Sequence, residues 1–203
     1  MSFPSSFARA LVPAIAVAIA APGAAAQSPD LARLKAHISQ VQTMTADFTQ
    51  TDARGRSASG KLQMKRPGRV RFEYSSGDLL LVANGRNLTF IDYQVGQKSS
   101  WPLNKTPLGA LLSGSPDFDG KAEILPSESP RVVVARARNT SQYGQLTLAF
   151  LRNASAPGGL ELYGWTAIDP QKRRTTVRLT NVRYNGPVSD GAFTFREPQK
   201  RKR

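Results

Sequence analysis

Apolar positions along this chain follow two different periods. Between residues 29 and 41 they recur as on a helix. Leu31, Leu34, Ile38 and Val41 stand three, four and three residues apart and so share one face, while Arg33, Lys35 and Gln40 take the other. Ser28-Pro29-Asp30 supplies a polar cap, an early proline and an acid in the first turn, which predicts the helix start. From Thr45 onward the period is two. It predicts strands over 45–51, 60–65, 69–74, 78–83, 87–93, 97–101, 121–125, 131–137, 145–151, 160–168 and 174–183, with a short closing segment over 193–196. The alternation is strictest in Arg69-Val70-Arg71-Phe72-Glu73-Tyr74.

Turn signals join these runs. Asn84-Gly85 predicts a tight hairpin, and Pro157-Gly158-Gly159 marks another turn. Between Trp101 and Phe118 the alternation lapses, and Thr106 to Leu112 predicts a turn or two of helix capped by Thr106. About eleven strands with short connections predict a mainly β fold, an antiparallel meander strongly curved or closed towards a barrel. Its apolar face needs a cover, and the two helices supply one. Patterning alone does not separate a filled interior from one that can be filled.

Composition narrows the chemistry. The 203 residues contain no Cys and one His, His37. That removes disulfides, thiol nucleophiles, thiolate metal sites and multi-histidine metal sites. No G-x-S-x-G, P-loop or dinucleotide-binding motif occurs. Carboxylates such as Asp47, Asp92 and Glu161 form no recognisable acid/base pair, so no catalytic residue, metal or cofactor is assigned. His37 is read as a surface or edge side chain beside the helix stripe.

The N-terminus changes the picture further. Arg9, an apolar run from Ala10 to Ala21 broken by Pro13, and Ala24-Ala25-Ala26 read as a cleavable export signal, too short for a membrane span. Residues 1–26 are thus assigned to a signal peptide and 27–203 to one domain. The formal net charge is +14, and Arg131, Arg136, Arg138, Lys172, Arg173, Arg174, Arg178 and Arg183 lie on or beside strands. An exported basic surface suits anionic lipid headgroups or acidic partners better than nucleic acid. The tail Lys200–Arg203 reads as solvated.

Met44-Thr45-Ala46-Asp47-Phe48-Thr49-Gln50, the run Ser59-Gly60 through Lys65-Arg66-Pro67-Gly68 to Tyr74, Leu81-Val82-Ala83-Asn84-Gly85, Asp92-Tyr93, Thr106-Pro107-Leu108 with Leu111-Leu112, and Phe193-Thr194-Phe195 occur in this order. The ordered set resembles the periplasmic outer-membrane lipoprotein carriers of the LolA type, over residues 31 to 196. The resemblance implies an unclosed antiparallel β-barrel with a helical lid over an apolar cavity. It also implies a monomeric chaperone that takes acylated lipoproteins from an inner-membrane ABC-type releasing complex. The chaperone would carry them across the periplasm to an outer-membrane receptor or to the membrane surface itself. A carrier or sensor of another envelope lipid would use the same cavity, and an enzyme acting on such lipids is the third reading.

Alternation assigns the walls: Leu62 and Met64 on one strand, Val70, Phe72 and Tyr74 on the next, then Leu79 with Leu81 and Leu88 with Phe90, together with Phe48. Leu80 and Ile91 are apolar too, which leaves the faces of the last two strands open. Leu31, Leu34, Ile38 and Val41 form the underside of the lid, and Leu108, Leu111 and Leu112 a second flap. Arg66 shares the Leu62/Met64 face, where an unpaired charge is costly. The resemblance implies that it bonds lid-side groups and latches the empty cavity shut.

Overall fold

A computed structural model describes residues 28–112, 122–137 and 144–199 of the chain, with the side chains of Pro107, Ala110 and Leu111 left aside. The signal assigned to 1–26, Arg138 and the tail Lys200–Arg203 lie outside the described residues. The helix forms as α1 (Pro29–Gln40), and Ser28 Oγ accepts a bond from the Leu31 N–H at 3.2 Å. The strands are β1 (Thr43–Thr51), β2 (Ser57–Lys65), β3 (Arg69–Tyr74), β4 (Leu79–Asn84), β5 (Asn87–Asp92) and β6 (Gln97–Pro102). A 3-10 turn over Leu103–Lys105 and the short α2 (Pro107–Leu112) follow, with Thr106 Oγ1 accepting from the Gly109 N–H. The remaining strands are β7 (Ala122–Leu125), β8 (Val132–Ala137), β9 (Gln145–Arg152), β10 (Leu160–Ile168) and β11 (Arg174–Tyr184).

All eleven strands lie in one antiparallel sheet, ordered β6-β5-β4-β3-β2-β1-β11-β10-β9-β8-β7. Two meanders run outward from the β1–β11 pair at the centre. Among the described residues the edge strands β6 and β7 do not pair with each other, so the sheet stays unclosed. The hairpin at Asn84-Gly85 forms as predicted, with Asn84 Oδ1 accepting from the backbone of Arg86 and Asn87.

Two irregularities keep apolar residues inward where strict alternation would fail. In β11 the register shifts opposite Thr45 and Asp47, with Asn181 in the left-handed region at φ 53°. The extra residue lets Val177 and Leu179, then Val182 and Tyr184, all face the interior, and it sends Arg183 outward. A similar shift in β10 between Leu162 and Gly164 places Leu162 and Trp165, three residues apart, on the same inner side.

The interior holds two adjoining apolar clusters. One gathers Phe48, Leu62, Phe72 and Tyr74 with Val177 and Leu179; the other gathers Leu34, Ile38, Val133, Phe150 and Leu160. The outer side of β4 and β5 is apolar as well, because Leu80, Val82 and Ile91 face out and are covered by Phe193. This corrects the expectation of a closing strand over 193–196. That stretch is a 3-10 turn, Asp190–Phe193, followed by extended chain laid across the sheet rather than along its edge. The Ala192 and Thr194 carbonyls, acceptors that a strand ladder would use, take bonds from Arg71 instead.

Candidate functional site

α1 crosses the concave side of the sheet and is held at several points. At its start, Arg152 reaches Asp30 at 2.8 Å, and that bond holds the Asp30 carboxyl below its usual range. Along its length it lies against the turn Pro157–Gly159. The Gly158 N–H donates to Gln40 Oε1, and Gly158 comes so near that a Cβ there would lie 2.4 Å from the His37 nitrogen. At its end, Asn185 caps the chain through the Gln40 carbonyl and the Gln42 N–H.

Beneath α1 and α2 lies a partly open apolar pocket with about 80 Å³ of free space. Ile38 and Val41 line it from α1, Leu108 and Leu112 from α2, and Met44, Leu62, Met64, Val70 and Phe72 from β1 to β3. Leu148 and Phe150 of β9 and Leu162 and Trp165 of β10 form the opposite wall. The Phe72 and Trp165 rings meet edge-on at 5.9 Å, and Phe72 leans on Phe48 and through it on Tyr74, which stacks an aromatic plug behind the pocket.

The assigned residues divide accordingly. Leu62, Met64, Val70 and Phe72 line the pocket, whereas Phe48 and Tyr74 belong to the plug behind it. Leu79, Leu81 and Leu88 pack on the same interior cluster, and Phe90 pairs beside Leu81; these four lie on the half of the sheet away from α1 and do not line the pocket. Of the lid residues, Ile38, Val41, Leu108 and Leu112 face the pocket, while Leu34 is buried, and Leu31 half-buried, against β8–β10. The Leu111 side chain lies outside the described residues. The β9 and β10 wall was missed. Leu146, Leu148 and Phe150 alternate clearly, but the sequence assignment takes the wall from Phe48 and the β2–β5 runs alone, and the shift in β10 hides Trp165 from any period-two pattern.

Arg66 sits at the rim, just past the end of β2, and lines the pocket. Its Nε donates to the Val41 carbonyl at 3.0 Å, at the end of α1, and its backbone N–H donates to the Gln42 carbonyl. Two residues on, the Gly68 N–H donates to the Leu112 carbonyl at 2.6 Å, at the end of α2. The Arg66-Pro67-Gly68 turn therefore touches both helices. Burial pulls the Arg66 guanidinium below its ordinary pKa, yet an arginine does not give up its proton there, so a cation stands at the edge of an apolar space.

His37 corrects the surface reading, because it is only 4% exposed. Its spacing from Leu34 and Ile38 places it inside the stripe, and its polar atom is satisfied by Nδ1–H donating to the Pro157 carbonyl at 2.9 Å. The ring meets Phe150 and Tyr184 edge-on at 5.2 and 5.3 Å. The Tyr184 hydroxyl accepts from the Leu162 N–H, and burial pushes its pKa to about 12. Burial likewise lowers the His37 pKa from 6.5. The unfolded chain then binds a proton that the folded one refuses, so the stability tied to neutral His37 is whole above pH 6.5 and is lost as pH falls below it towards the folded value. Thermal melts from pH 7.5 to 5 should show a falling Tm that His37→Gln flattens; equal slopes in the two proteins would count against this assignment.

Residues 39–196 match the family described as outer membrane lipoprotein carrier protein LolA. An outer-membrane lipoprotein carrier protein of Chromobacterium violaceum is 36% identical over 179 residues, which cover 86% of this chain and 72% of that one. Its counterpart in Bordetella avium is 27% identical over 198 residues, 91% of each. Among solved structures, a DUF1329 family protein from Desulfovibrio piger shares the fold at a TM-score of 0.50 and 11% identity, covering 84% of this chain and 97% of that one.

Proposed function

This chain belongs to the outer membrane lipoprotein carrier family, and from that premise we propose that it shelters the acyl chains of lipoproteins beneath α1 and α2 while they cross the periplasm. The signal-like segment 1–26 would deliver the chain there, and an ATP-driven complex in the inner membrane would load it. The outer membrane would receive the cargo, through a receptor or directly. No catalytic group takes part in this account. A triacylated cargo has on the order of 40 methylenes at about 0.8 kcal/mol each, so desorption into water is prohibitive and an apolar container is required.

The observation that carries the reading is the pocket with its latch: apolar walls on both sides, two helices across the mouth, and the Arg66-Pro67-Gly68 turn bonded to the ends of both. Both helices cross the mouth of the pocket, so loading lifts them, and the bonds from Arg66 Nε to Val41 and from Gly68 to Leu112 break as it happens. Unloading lets them reform. Arg66 is then a latch whose closure competes with cargo.

Trp165 in the wall reports on this directly. Titration of the mature protein with a synthetic triacylated lipopeptide should shift Trp165 emission saturably, with Trp101→Phe used to remove the other indole. The non-acylated peptide should give no shift. An equal response to both peptides would contradict acyl-chain binding in the pocket.

A further inference from the structure

The outer side of β11 carries a feature that the carrier reading does not use. Arg174, Arg178 and Arg183 are exposed there, in file with Thr176 and Thr180. The register shift at Asn181 is what brings Arg183 onto this side, since even spacing from Arg178 would have turned it inward. At ~3.4 Å per residue the file runs roughly 30 Å. Lys61 pairs with Asp47, Lys65 and Arg69 with Asp190, Arg71 with Glu73 and Arg173 with Asp169, while exposed arginines such as Arg54, Arg86 and Arg131 stand singly on turns rather than in a file. Among the described residues no carboxylate pairs with any of the three β11 arginines; Arg178 lies over the Tyr163 ring at 4.9 Å. Beside the file stand Thr49 and Thr51 opposite Arg178 and Thr176 on β1, Thr166 opposite Thr176 and Ile168 opposite Arg174 on β10, and Asp47 opposite Thr180, its carboxylate taken by Lys61 and Asn181.

We propose that this outer face of β11 is an electrostatic docking strip for anionic phospholipid bilayers, which the protein meets with its pocket side turned away. A specific protein interface has a desolvated centre built on aromatic or aliphatic anchors. The strip has no exposed anchor: Tyr163 under Arg178 and Ile168 beside Arg174 are half-buried, and the large exposed hydrophobics, Val95 and Trp101, lie beyond β5 and on β6, at one edge of the sheet. Long unpaired arginines interspersed with hydroxyls suit headgroups that move laterally to meet them. The concave side and α1 stay out of the contact, so docking requires neither an open lid nor bound cargo, and the strip would act whatever the pocket holds.

Cosedimentation of the mature protein with vesicles tests this. At about 50 mM salt it should bind vesicles of 70% phosphatidylcholine and 30% phosphatidylglycerol, and not pure phosphatidylcholine. Binding should fade as salt rises and the Debye length shrinks. Each strip arginine near an anionic surface is worth roughly fivefold, so Arg174→Gln/Arg178→Gln/Arg183→Gln should lower partition on the order of a hundredfold. A control removing three exposed arginines elsewhere, Arg54→Gln/Arg86→Gln/Arg131→Gln, should lose only a few-fold. The chain has no Cys, so a dye on Thr176→Cys is unique and should be quenched by headgroup-labelled lipid, while the same dye on Ser39→Cys of α1 should not. Equal losses in the two triple variants, quenching at Ser39 instead, or no preference for anionic vesicles would each overturn the proposal, the last in favour of an acidic protein partner.

Discussion

Arg66→Leu is expected to bind lipoprotein and to deliver it at least tenfold more slowly than the unaltered protein. In the empty state the guanidinium holds the Val41 carbonyl from the pocket rim. A hydrogen bond from a charged group contributes about 1.5–3 kcal/mol, or roughly 10- to 150-fold in the balance between closed and loaded states. Leucine removes that bond and also removes a cation from an apolar rim, so both changes favour the loaded state. The effect falls on release rather than capture, because loading breaks the bond and unloading reforms it. Pre-loaded carrier mixed with outer-membrane vesicles would measure it as the rate at which lipoprotein leaves the soluble fraction. Arg66→Lys, which keeps the charge but loses the planar donor array, should fall between. Delivery by Arg66→Leu at the normal rate would remove the latch from the account, while the container could stand.

Gly158→Ala is expected to unseat α1 while leaving the sheet folded. The residue adopts φ 63°, a conformation that costs an L-residue about 1–2 kcal/mol, and its Cβ would approach the His37 nitrogen to 2.4 Å and the Arg33 carbonyl to 2.6 Å. Neither neighbour is a flexible side-chain end, so the helix and the turn must separate. His37 then loses the Pro157 carbonyl, and Gln40 loses the Gly158 N–H. A loss of 2 kcal/mol or more lowers Tm by roughly 4–8 °C in a chain of this size. The sharper readout is local: amide exchange should quicken along α1 while β8 and β9 keep their protection, and an apolar dye should bind the uncovered pocket. Uniform exchange through the sheet would mean that α1 is a structural element of the fold rather than a separable cover.

Much of this was legible in the sequence, because period-two alternation is strong wherever one face of a strand is buried. All eleven strands appeared at or near their observed ends, and the Ser28 cap and the Leu31–Val41 stripe marked α1. The failures have physical causes. The segment 193–196 carries strand-like residues, but its aromatic rings are used against the outer faces of Leu80, Val82 and Ile91, which no local pattern reveals. His37 looked peripheral because a lone histidine gives no hint of a carbonyl 120 residues away. Leu162 and Trp165 break the alternation, so one shifted register in β10 hides that part of the pocket wall, whereas Leu148 and Phe150 of β9 alternate regularly and nothing local marks their strand as facing the pocket. Arg66 stood out as a charge on an apolar face, yet its partner at the end of α1 became visible only in three dimensions.

The carrier reading is tested most directly by giving the mature protein to spheroplasts that hold a tagged outer-membrane lipoprotein in the inner membrane. The account predicts that the lipoprotein appears in the soluble fraction as a one-to-one complex with the carrier, and that depleting ATP abolishes its release. Lipoprotein that stays in the membrane while the folded protein emerges with free phospholipid would contradict it, and would assign the pocket to another lipid.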